Sequence, residues 1–171
     1  MPGNLLKEFR VLLTSIGLAI CFSLITSCAT HESEETKRQD KIMRHCKLMY
    51  VFGKSYSEYR AEGLNRIEAR DKATRLLVAK YSIKAPLEKV ESINDIATVF
   101  VELLEPRQPS TMGYFVSSNC MFTHAKQKFL PLDSKAGRAQ INHVLKSCEE
   151  TSKSDDDLGA CVITDLAPLV R

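Results

Sequence analysis

The chain has 171 residues and sets 24 lysines and arginines against 21 aspartates and glutamates, a formal charge of +3. So small an excess gives no electrostatic ground for binding nucleic acid, and the lack of tryptophan in a chain with 7% aromatic residues leaves little with which to stack on sugars or cage a cation. The length is ample for one hydrophobic core and gives no reason for a second.

The N-terminal segment comes first in the chain and carries the clearest signal. Met1 to Arg10 holds Lys7 and Arg10 against Glu8, and the 15 residues from Val11 to Ile25 contain neither charge nor proline. A basic start followed by a short apolar run is the layout of a secretory leader. An uncleaved membrane helix would need about 20 apolar residues. The run from Val11 to Ala29 falls just short of that and ends in Thr26, Ser27, Cys28, Ala29 and Thr30 rather than in a basic cluster.

Ile25-Thr26-Ser27-Cys28 resembles the lipobox of bacterial lipoproteins, with an aliphatic residue three before the cysteine and small residues between. The resemblance implies cleavage before Cys28, lipidation of Cys28 with acyl chains such as palmitate, and attachment to a membrane through that lipid. With Ala29 rather than aspartate next, it further implies export to the periplasmic side of the outer membrane. The expected organisation is a leader over 1–27, a lipidated cysteine and polar tether over 28–41, and one helical domain over 42–171. Discarding Lys7, Glu8 and Arg10 with the leader leaves a charge of about +2.

The tether, Ala29 to Lys41, is polar and charged, although Ser33 followed by Glu34 and Glu35 suits an early helix start. Ile42, Cys46, Met49, Phe52, Gly53, Tyr56 and Tyr59 then recur at steps of three and four, which predicts an amphipathic helix ended by Gly63. Asn65 with Glu68 reads as a capping box opening a second helix through Ile67, Thr74, Leu77, Val78 and Tyr81. Pro86 sits where a first helical turn tolerates proline. It begins a third helix carrying Leu87, Val90, Ile93, Ile96, Ala97, Phe100, Val101 and Leu104, stopped by Pro106 and Pro109.

From Thr111 the residues Tyr114, Met121, Phe122, Ala125 and Phe129 fit a fourth helix, with Gly113 to Val116 as a candidate short strand. Pro131 breaks the chain, and Asp133 or Ser134 caps a fifth helix through Ile141, Val144, Leu145 and Cys148. Ser154 with Asp157 opens a sixth, carrying Leu158, Cys161, Val162 and Leu166 up to Pro168. The fold expected is all-α, a small bundle of five to six helices.

Of six cysteines, Cys21 leaves with the leader and Cys28 would carry lipid, so Cys46, Cys120, Cys148 and Cys161 remain. In an oxidising compartment an even set predicts two disulfides, and four cysteines allow three connectivities among which spacing does not choose. The pairing we expect is Cys46 with Cys120 and Cys148 with Cys161, worth roughly 4 to 5 and about 3 kcal/mol respectively in the chain-entropy picture. A competing reading builds a zinc site from Cys120, His124, His143 and Cys148. Its spacings match no standard knuckle, so no metal or other cofactor is expected.

Catalytic motifs are absent from the sequence: no Gly-x-Ser-x-Gly elbow, no His-Glu-x-x-His, no Cys-x-x-Cys and no phosphate-cradling glycine loop. His45 beside Cys46 makes a poor base and nucleophile, since helix neighbours point about 100° apart. Arg60, Arg66, Arg70, Lys72, Arg75 and Lys80 concentrate positive charge, and Glu149, Glu150, Asp155, Asp156 and Asp157 negative charge. Such patches steer charged partners or serve intrahelical pairs such as Glu62 with Arg66 and Glu68 with Lys72. The expected role is a non-enzymatic binding or structural module of the bacterial envelope with a protein partner. The alternatives are a periplasmic inhibitor or immunity protein, and an enzyme or metal carrier.

Overall fold

A computed structural model describes residues 34–81, 87–126 and 129–171. The leader, Cys28 and Pro86 lie outside the described residues. The chain divides into two units, Met1–Lys41 and Ile42–Arg171. Within the first, residues 34–41 are helical and exposed, so the described part of the polar tether takes the helical option that its glutamates favour.

The second unit is all-α. Its helices are α1 (residues 42–61), α2 (Arg66–Tyr81), α3 (Leu87–Glu102), α4 (Pro109–Lys126), α5 (Lys135–Thr151) and α6 (Asp155–Leu166), followed by a 3-10 turn at Ala167–Leu169. Helix α4 packs on α3, α5 and α6, while α2 packs on α3. The core between them is formed by Phe52, Tyr56, Leu77, Met112, Phe115, Ile141, Leu145, Val162 and Leu166.

Helix ends follow local chemistry. Gly63 has φ +92°, and its N–H donates to the Arg60 carbonyl while that of Leu64 donates to Tyr59, closing α1 with the paired bonds that satisfy its last carbonyls. Asn65 Oδ1 accepts from the N–H groups of Ile67 and Glu68, and Glu68 Oε2 accepts from the Asn65 N–H, a full capping box. Ser134 and Ser154 cap α5 and α6 through the N–H groups of Gly137 and Asp157.

At α4 the start changes and the alternative of a short strand falls away. The helix begins at Pro109 rather than Thr111, and Gly113 to Val116 is helical. Proline lacks only an N–H that the first turn leaves unpaired anyway, and its fixed φ suits that turn. Pro109 therefore starts α4 instead of merely stopping α3, which ends at Glu102.

Close approach of α1 and α4 positions everything that follows. A Cβ on Gly53 would come within 2.9 Å of Val116 and 3.0 Å of the Met112 carbonyl oxygen, and one on Gly113 within 2.9 Å of the Tyr50 ring and carbonyl. Each helix thus offers a glycine where the other's backbone passes. One turn or more away along the same seam, the Cys46–Cys120 disulfide holds the Cα atoms 5.5 Å apart. Cys148 and Cys161 form the second bridge, between α5 and α6.

A polar cluster ties α1 to α3. Tyr56 is fully buried and donates its hydroxyl proton to Glu102 Oε1, which also accepts from Arg60 Nε at 2.9 Å. Burial, reinforced by the bond to Glu102, pushes the phenol well above its ordinary pKa, so it remains a donor. Burial also works to raise the Glu102 pKa, but the Tyr56 and Arg60 hydrogen bonds and the charges of Arg60 and Arg66 outweigh it and leave the carboxyl below its usual value.

A carboxylate with a depressed folded-state pKa adds stability that is complete above its unfolded pKa and fades as pH falls through the folded one. Glu102→Gln should therefore flatten the acid limb of the stability profile below about pH 4, as read by urea midpoints from neutral to acid pH. A limb as steep as that of the wild type would show that Glu102 is not the group involved.

Candidate functional site

His45 and Met49 lie one turn apart on α1, and Cys120 and His124 one turn apart on α4. Residues four apart share a helix face, and the two faces meet along the glycine seam. There they line a groove of about 300 Å³ with Ile96, Ala97 and Phe100 of α3 and with Val116, Asn119 and Thr123 of α4. The imidazoles of His45 and His124 meet edge to face, centroids 5.3 Å apart and planes at 83°. A ligand atom of each ring and the Cys120 sulfur all lie within 4.8 Å of one another.

Burial, and then the neighbouring His124, lower the pKa of His45, so its ring is neutral at pH 7 and keeps a lone pair available. Thr123 donates its hydroxyl proton to the Asn119 carbonyl, and no carboxylate among the described residues lines the groove. Ile96, 55% exposed, stands at the groove, and Val99 and Leu103 extend an apolar strip along α3.

The zinc set proposed from spacing is not assembled. Cys120 is bonded to Cys46 and lies with His45 and His124, whereas Cys148 is bonded to Cys161, with Asp165 beside that bridge. His143 is exposed on α5 and joins neither group. Each sulfur is held by a different partner, which removes the thiolates that zinc would need.

A second cavity, of about 370 Å³, is lined by Ser57, Arg60, Glu102, Glu105, Arg107 and Met112 among others. Its charges answer one another: Arg60 pairs with Glu102, and Arg107 with Glu105 at 2.9 Å and Glu149 at 3.8 Å. Each lining charge thus has an ionic partner, while the buried Arg107 Nε has no hydrogen-bond partner among the described residues.

Several of the patch charges are engaged. Arg70 bridges Asp71 and Asp95, Lys72 pairs with Glu62 and lies over the Tyr59 ring, and Asp155 accepts from the hydroxyls of Tyr50 and Tyr114. Of the pairs expected from spacing, Glu62 joins Lys72 rather than Arg66, and Glu68 accepts from the Asn65 N–H of the cap instead of pairing with Lys72. No protein-family model, curated protein or solved structure matches the chain.

Proposed function

We propose that this protein is a lipid-anchored binding module on the periplasmic side of the bacterial outer membrane, held by acyl chains on Cys28 and meeting its ligand in the groove between α1, α3 and α4. The groove is the observation that carries the reading. It is concave, walled by apolar side chains, and furnished with two imidazoles and a thioether, the mixture typical of sites for small ligands. A projecting wedge would suit an inhibitor better. The two disulfides fit an oxidising compartment, and the resemblance of Ile25 to Cys28 to a lipobox supplies the anchor.

The anchor is tested by expressing the chain and its Cys28→Ala variant with an alkynyl palmitate analogue and fractionating the envelope. The parent chain should take up label and sediment with the outer membrane, and the variant should lose both properties. An unlabelled parent chain, or a variant that still takes up the label, would overturn the anchor.

A further inference from the structure

We propose that His45, His124 and Met49 form a binding site for a monovalent copper ion. The fold brings the two histidines together and sets Met49 in the same groove. His45 immediately precedes Cys46, and His124 follows Cys120 by one turn, so the Cys46–Cys120 bridge fixes the two histidine-bearing turns against each other. Met49 lies one turn beyond His45 on the same helix and lines the same groove. Among the described residues, neither imidazole has a hydrogen-bond partner, and their mutual contact is edge to face.

The donor set selects the ion. Both nearby sulfurs of cysteine are consumed in the disulfide, leaving two imidazole nitrogens and one thioether. Thioether and imidazole together suit Cu(I), whereas magnesium, calcium and manganese seek carboxylate or carbonyl oxygens. Zinc in closed protein sites takes four ligands, usually with thiolates or carboxylates among them. Charge works in the same direction. Among the described residues the groove has no carboxylate to offset a dication, and the cost of placing an ion beside apolar walls such as Ile96, Phe100 and Val116 rises steeply with its charge. The ion enters and leaves as Cu(I), so no electron changes hands and the disulfide stays intact.

This proposal rests on reading the groove as the binding face but not on the lipid anchor, so failure of copper binding and failure of palmitate labelling are separate results. The full chain in detergent is given Cu(I) anaerobically as its acetonitrile complex, which keeps reductants away from the disulfides, and competed with bicinchoninate. One equivalent should be retained, and the thiol titre should be the same before and after. His45→Ala with His124→Ala should weaken binding on the order of 100-fold, and Met49→Leu, close in volume, by about 10-fold.

Thermal unfolding checks that each variant folds. Should the double variant not fold, His124→Ala alone serves, since that side chain is exposed. The assignment is overturned if the parent chain yields its copper to the chelator, if the folded histidine variant holds copper equally well, if Met49→Leu changes nothing, or if equimolar Zn(II) displaces the ion.

Discussion

Replacing Cys46 and Cys120 together by alanine should destabilise the domain by about 4 kcal/mol, the larger of the losses expected from its two disulfides. The two residues are separated by 74 positions, so their bridge removes far more freedom from the unfolded chain than the Cys148–Cys161 bridge, which spans 13 and should be worth about 3 kcal/mol. Both Cys46 and Cys120 are buried at the α1–α4 seam, so no compensating gain in solvation offsets the loss. Against a typical total of about 5–15 kcal/mol, such a change leaves a marginal domain. Urea unfolding of the two double variants under non-reducing conditions gives the comparison, and a smaller loss from the long loop than from the short one would contradict it.

The second large effect is expected at Gly137. This residue sits in the first turns of α5, where a Cβ would stand 2.0 Å from the Pro131 carbonyl oxygen and 2.7 Å from its side chain. Alanine there would gain about 1 kcal/mol of helix propensity over glycine. The overlap is with backbone, which no rotamer change relieves, and overpacking of this kind costs about 3 kcal/mol or more. Gly137→Ala should therefore lose about 2 kcal/mol net, lowering Tm by roughly 4–8 °C for a domain of this size. The exposed Gly63 is a different case: nothing lies within 4 Å of its Cβ position, and the strain of substitution there comes from its positive φ alone. A Gly137→Ala variant as stable as the parent would show that the Pro131 turn yields easily.

What the sequence reveals about this fold divides along a physical line. Anything set within one helix is legible. The three-and-four spacing from Ile42 to Tyr59, the Asn65–Glu68 box, the Gly63 stop and the Ser134 and Ser154 caps each depend on residues a turn or so apart, and each appears in the structure. Features that depend on how two helices cross are not legible. Gly53 reads as one more position on an apolar stripe and Gly113 as a strand signal, although together they let α1 and α4 touch.

The site follows the same division. Cys120 and His124 can be joined from their spacing on one helix, but the partner supplied by the fold is His45, 79 positions before His124 in the chain, rather than His143 or Cys148. The one available hint was that His45 adjoins a cysteine, as His124 lies a turn from another. If those two cysteines are bonded, their histidines must come near each other. Met49 gave no separate signal, because a buried methionine on a helical stripe is ordinary core. The Tyr56–Glu102–Arg60 cluster was equally hidden, since nothing local joins α1 to the end of α3.

That this domain hangs from a membrane by its first mature residue is most directly tested by the intact mass of the protein extracted from cell envelopes in detergent. The polypeptide should start at Cys28 and be heavier than residues 28–171 by the acyl chains it carries. A mass that retains Met1, or one equal to the bare polypeptide, would contradict it.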